Sequence, residues 1–221
     1  DLAGHAESIG ADAVSATPTG YFKVSGEAEL VEGLLPIVEA APKTPFYYYH
    51  IPFLSGVNLD PIKLTDISMD RLPTFCGIKY SDGASLHNLP LLESVAPGLE
   101  FLSGSDEAYL MSVAQGYQAA VGSTYNYAAP IYDKVRKSLD VGDFKSAQVW
   151  QKRALDMITA MFETCGRSSL KGSPALPHWW RWWWHRQIRK TGAATWHYRG
   201  PVAASDADVC RARQPHLHSA Q

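Results

Sequence analysis

At 221 residues, with 46% hydrophobic content and a formal net charge of −2, the chain is long enough for one sizeable core and lacks the positive excess of a nucleic-acid binder. It holds no apolar run of the roughly 18 residues that a membrane-spanning helix needs. Cys76, Cys165 and Cys210 are widely spaced, with no CxxC pair and no metal-ligand spacing, and no Asn-x-Ser/Thr sequon occurs. These features predict free or buried thiols in a reducing, cytoplasmic setting, and no metal site.

Asp1–Ile9 reads as a helix, and its sequence has neither the charged head nor the apolar core of a leader peptide. It reads as the middle of a helix-to-strand unit, so residues are expected to be missing before Asp1. Asp12–Ala16 is a short strand. Glu27–Ala41 is an amphipathic helix with Leu30, Leu34, Leu35 and Val38 on one stripe. Pro45–His50 is a strand stopped by Ile51-Pro52. A helix starts at Asp60-Pro61, with Asp as the cap and Pro at its first position. Phe75–Lys79 is the next strand and Gly83–Ala96 the next helix. Glu100–Ser103 is a strand leading to a helix over Asp106–Gln115. Ala119–Gly122 is the last strand, followed by helices near Pro130–Leu139 and Phe144–Thr164. Five strands, each followed by a helix, predict an α/β fold of βαβ units around a parallel sheet, where a closed barrel needs eight.

After Lys171 the composition breaks. Residues 172–221 hold six of the seven Trp and five of the eight His, and seven Lys and Arg stand against only Asp206 and Asp208. Their formal charge is +5, whereas residues 1–171 carry −7. No helical or strand period runs through them. The Trp/Arg-rich stretch Trp179–Arg189 could lie at a membrane interface. Unpatterned Trp, Arg, His, Pro and Ala is also what a coding segment read out of frame, or a misjoined exon, produces. That second reading is adopted: 172–221 is expected to be a tail rather than a domain, with no packed element and no membrane contact.

In parallel α/β barrels the site lies at the C-terminal ends of the strands. Those ends carry Tyr49, Lys79, the Gly104–Glu107 loop and Ser123, expected at one mouth. Lys79 closes the apolar run Cys76-Gly77-Ile78. Such a lysine either marks the strand's exit into solvent or is a desolvated amine, whose ammonium form burial disfavours, leaving a lone pair able to attack a ketone. Tyr49 is either a half-buried aromatic, as Tyr47 and Tyr48 are read, or a phenol able to move a proton. An aldol reaction needs both groups. Asp106 and Glu107, at a helix start, read by themselves as caps favoured by the helix dipole by about 0.3–1 kcal/mol.

Four motifs carry a resemblance. Tyr49-His-Ile-Pro-Phe-Leu-Ser-Gly56 resembles the YxIPxLSG or YxIPxLTG segment of the sialic-acid (N-acetylneuraminate) lyases, and Tyr47-Tyr-Tyr-His-Ile-Pro52 leans towards the animal members. Phe75-Cys-Gly-Ile-Lys-Tyr-Ser81 resembles their Schiff-base strand, a G-(I/L/A)-K with a small hydroxyl residue two positions later. Leu102–Glu107 resembles their G-x-D-E loop, and Gly122-Ser-Thr-Tyr-Asn126 their GSTYN stretch. The motifs occur in family order and spacing across residues 1–171.

The resemblance implies a (β/α)8 TIM barrel, incomplete here, with about strands 4–8 present over 1–171. It implies that Lys79 attacks the C2 ketone of open-chain N-acetylneuraminate to form an imine. Tyr49 would take the C4 hydroxyl proton as the C3–C4 bond breaks, releasing N-acetylmannosamine and then pyruvate. The imine serves as electron sink, so no metal or organic cofactor is expected. Ser81, Gly104, Asp106, Glu107 and Ser123 would contact substrate, the two carboxylates binding its glycerol-like tail, and Tyr21 aligns with an aromatic after the family's fourth strand. The partners implied are small molecules and further copies of the chain, in a homotetramer. The wider superfamily, including dihydrodipicolinate synthase, shares the Tyr and Lys. A pyruvate aldolase for another 2-keto acid, and a non-catalytic family product, are therefore the alternatives. The family's G-(S/T)-T-G-E loop, which grips the pyruvate carboxylate, has no counterpart here, so the isolated chain is expected to show very weak or no lyase activity.

Overall fold

The structure is a computed structural model, which describes residues 2–117, 119–165 and 197–199. They divide into two compact units, one running through Leu102 and the other from Ser103 to Gly200.

In the first unit, strands β1 (Val14–Ala16), β2 (Phe46–His50), β3 (Phe75–Tyr80) and β4 (Glu100–Ser103) lie side by side in chain order. The pairs β1/β2 and β2/β3 are parallel. Helices α1 (Leu2–Ser8), α2 (Glu27–Glu39), α3 (Pro52–Ser55), α4 (Pro61–Arg71) and α5 (Leu89–Val95) alternate with them. Helix α2 buries Leu30, Val31, Leu34 and Val38. This is the expected stripe at helical spacing, except that Val31 is buried and Leu35 is half-buried. Helix α4 starts where Asp60 and Pro61 place it. The Asp60 carboxylate accepts from Ile62 N at 2.9 Å and Lys63 N at 3.4 Å, satisfying two of the donors that a helix start leaves open. The helix expected over Gly83–Ala96 instead opens as a 3-10 turn at Gly83–Asn88, broken by a non-helical Ser85 (φ −116°, ψ 29°), before α5 begins.

The second unit carries a 3-10 turn (Asp106–Ala108), α6 (Tyr109–Ala114), β5 (Ala119–Val121), α7 (Tyr125–Asp140), α8 (Phe144–Cys165) and β6 (His197–Arg199). Its core packs Tyr109, Ala120, Tyr125, Ala128, Tyr132, Val135, Ala147 and Ala154 together. Tyr132 meets Tyr109 and Tyr125 edge-on, with ring centroids 5.4 and 4.5 Å apart, an arrangement aromatic quadrupoles favour. Helix α7 starts at Tyr125 and takes Pro130 into its interior. Proline suggested a later start, but burial of Tyr125, Ala128, Tyr132 and Val135 along one face outweighs the missing proline hydrogen bond.

Strand β6 corrects one expectation. It pairs antiparallel with β5, Val121 opposite His197 and Ala119 opposite Arg199, so these three residues after Lys171 do join an element. Backbone pairing needs no side-chain period, which is why composition missed it. The rest of 172–221 lies outside the described residues. No helix among the described residues is long and apolar enough to cross a membrane.

Candidate active site

Tyr49 and Lys79 are the penultimate residues of β2 and β3, and they are register partners across that parallel pair. Partners in register point to one face, and the Lys79 Nζ lies 3.9 Å from the centroid of the Tyr49 ring. Both are half-buried in strands whose other residues are buried. The Lys79 nitrogen is thus partly desolvated and sits on a π face, a contact worth about 0.5–2 kcal/mol to its ammonium form. Ser81, just past β3, donates its backbone N–H to the His50 carbonyl at 2.8 Å. Its hydroxyl is buried with no partner among the described residues, which leaves a donor and an acceptor open for a bound molecule.

The loop between β1 and α2 is tied to this end of the sheet by the Lys23 ammonium, which donates to the Ser55 carbonyl at the end of α3. Gly56, which ends α3 with φ +65°, takes the left-handed turn. Tyr21 is 88% exposed. The opposite face of β2 and β3 is core. There Tyr48 pairs with Ile78, and His50 pairs with Tyr80, their rings stacked at 4.9 Å. Burial pushes the Tyr48 phenol up and holds the His50 imidazole below its ordinary value, the Asp82 charge opposing the latter more weakly. Tyr47 and Tyr48 are both buried.

The other expected site residues belong to the second unit. Gly104 and Ser123 are half-buried and Glu107 is exposed, whereas Asp106 is 5% exposed. The Asp106 carboxylate accepts from Thr124 N at 2.9 Å and Thr124 Oγ1 at 2.6 Å. Thr124 Oγ1 also lies 2.6 Å from Tyr132 Oη. Because the threonine proton goes to Asp106, Tyr132 is the donor in that second bond. Burial first, and the Asp106 charge second, push the Tyr132 and Tyr125 phenols up, so both remain protonated. A Cβ on Gly122 would come within 1.6 Å of Asp106 Oδ1. Gln151 on α8 reaches the same turn, donating to the carbonyls of Asp106 (3.3 Å) and Glu107 (3.0 Å) and accepting from Leu110 N (2.9 Å). Thr124, Tyr132 and Gln151 were not legible as site residues. Thr124 stood inside a quoted motif without a role, and a glutamine in mid-helix carries no signal.

The structure thus brings Tyr49, Lys79 and Ser81 to one strand end, and separately pins the Asp106–Glu107 turn to the start of α7. A model of the Dihydrodipicolinate synthetase family matches residues 1–177. The chain is 35% identical over 173 residues to N-acetylneuraminate lyase B of Xenopus laevis, covering 78% of this chain and 65% of that protein. It is 37% identical over 148 residues to N-acetylneuraminate lyase of Sus scrofa, covering 66% and 46%. It therefore spans about half to two-thirds of the length of these relatives. Among solved structures it is similar to the N-acetylneuraminate lyase of Proteus mirabilis, with a TM-score of 0.72 and 25% identity over 96% of this chain and 68% of that one. The enzyme of the same name from Aliivibrio salmonicida gives a TM-score of 0.72 at 26% identity. These likenesses identify the α/β fold as part of a (β/α)8 barrel. Since the family match runs through every site residue named above, the chain belongs to the dihydrodipicolinate synthetase family.

Proposed function

We propose that this chain carries the site of a Schiff-base aldolase that cleaves N-acetylneuraminate to N-acetylmannosamine and pyruvate, with turnover by the isolated chain very weak beside that of a complete barrel. One observation carries the reading: an amine and a phenol, Lys79 and Tyr49, in register and in contact at the ends of neighbouring parallel strands. The neutral Lys79 amine adds to the C2 ketone, and the resulting carbinolamine takes up one proton and loses water, forming a cationic iminium. Electrons of the breaking C3–C4 bond flow towards the iminium nitrogen while Tyr49 takes the C4 hydroxyl proton, and N-acetylmannosamine departs. The enamine is protonated at C3, and hydrolysis returns Lys79 and pyruvate. The iminium is the electron sink, so the reading needs neither metal nor organic cofactor. The open Ser81 hydroxyl is a candidate contact for the keto-acid end, while Gly104, Asp106, Glu107 and Ser123 are assigned to substrate by resemblance. Of the two carboxylates, the exposed Glu107 has the freer oxygens for a polyol tail. Wide cysteine spacing and a buried Cys76 support a reducing, cytoplasmic setting. Assembly as a homotetramer is carried over from the resemblance alone.

The test is borohydride reduction in the presence of pyruvate, with pyruvate release from N-acetylneuraminate measured alongside. A stable adduct on Lys79, absent from Lys79→Ala, is the expected result. No adduct would overturn the reading in favour of a non-catalytic family member. An adduct together with turnover of a different 2-keto acid would move the substrate but keep the chemistry.

A further inference from the structure

Lys79 shares a face with Tyr49 because the pairing of β2 with β3 slips by one residue. Phe46 pairs with Phe75, but Tyr47 pairs with Gly77, so Cys76 is passed over and Tyr49 meets Lys79. Without the slip, Tyr49 would stand opposite Ile78 and Lys79 opposite His50. Side chains alternate along a strand, so the amine and the phenol would then lie on opposite faces. The bulge decides whether the pair exists, and bulges are a recurrent way of re-aiming a side chain at a site.

What holds this bulge lies across β3. Gly77 has φ +155°, and a Cβ there would come within 1.8 Å of the Glu100 carbonyl oxygen on β4. Only glycine suits both the backbone angle and the close approach. Tyr47 lies two residues before Tyr49 on the same face, and its hydroxyl donates to Glu100 Oε2 at 2.6 Å. The tyrosine thus reaches from β2 past β3 at Gly77, where β3 has no side chain, to the start of β4. Tyr47 is 8% exposed, and a short O–H to carboxylate bond in such surroundings is a strong, directional one.

We propose that Tyr47 and Glu100 are positioning residues for Lys79. Their hydrogen bond spans the bulge, holds the slipped register of β2 on β3, and so keeps the amine on the face it shares with Tyr49. This inference rests on the aldolase reading given above.

The test uses the full chain with pyruvate and borohydride, reading the rate of adduct formation on Lys79 by mass spectrometry over a range of pyruvate concentrations. Tyr47→Phe and Glu100→Ala each slow the reaction at saturating pyruvate by about 10-fold or more, as small misplacements of a nucleophile do, while half-saturation moves by less than about 3-fold. Glu100→Gln keeps an oxygen that accepts from Tyr47 and restores most of the rate. The double variant Tyr47→Phe/Glu100→Ala is no slower than the slower single, as one shared interaction requires. Should Glu100→Ala fail to fold, Tyr47→Phe, which adds no volume, carries the comparison. Lower melting temperatures with unchanged adduct rates overturn the proposal, and so does a Glu100→Gln variant as slow as Glu100→Ala. A native chain that forms no adduct at all overturns the aldolase reading and this inference with it. That outcome is distinct, because the variants then do not differ from the native chain.

Discussion

A lysine at the end of a strand acquires chemical meaning from its neighbour. Lys79 rests on the Tyr49 ring at 3.9 Å, which places an amine beside a phenol at one strand end. In the proposed aldolase the two groups serve different steps, so they separate experimentally. Tyr49→Phe leaves the Lys79 adduct with pyruvate intact but lowers cleavage of N-acetylneuraminate by about 100- to 10,000-fold, the usual scale for a lost general acid–base. Adduct mass and pyruvate release on the same preparation check this. Equal loss of both would mean that Tyr49 acts by holding the lysine. Residue types and motif spacing made Tyr49 and Lys79 legible. The Tyr47–Glu100 bond was not, because its partners stand 53 positions apart and neither belongs to a chemistry-bearing pattern.

At the scale of elements, the Asp106–Glu107 turn shows how two loops become one rigid piece. Asp106 reads in the sequence as a helix cap or a substrate acceptor. In the fold its carboxylate is taken up by Thr124 at the start of α7, and Gln151 of α8 holds the turn's carbonyls. Thr124→Val keeps the side chain's shape but removes the hydroxyl between Tyr132 and Asp106. Losing a hydrogen bond to a buried charged group costs about 1.5–3 kcal/mol, so Thr124→Val unfolds at lower urea concentration and Thr124→Ser recovers most of the loss. Equal midpoints for Val and Ser variants would show that the backbone N–H alone holds Asp106. Where the local signal is strong the expectation was close: the Asp60-capped start of α4 was predicted, and the amphipathic α2 was predicted with nearly its observed bounds. The four-residue α3, the 3-10 openings of two helices and β6 were not, since each is too short to show a period and depends on what it packs against or pairs with.

For the whole molecule, the buried His50 makes stability pH-dependent. Burial depresses its folded-state value below about 6.5, its ordinary value in an unfolded chain, so the native state binds fewer protons than the unfolded one as the pH falls through that point. Its contribution is fully present above about pH 6.5 and is lost progressively below it. The melting temperature should therefore fall between pH 7 and pH 5, and His50→Leu should flatten that part of the profile. A slope unchanged in the variant would place the titration elsewhere. Sequence alone determined that this chain alternates strands and helices, that Tyr49 and Lys79 end successive strands, and which family it belongs to, because periodicity, capping and motif order are properties of neighbouring residues. Only the tertiary structure decided which face Lys79 takes, since a one-residue slip at Cys76 reverses it. It likewise decided that Asp106 is buried under Thr124 while Glu107 stays exposed. Register and burial depend on contacts between residues distant in the chain, and no local pattern contains them.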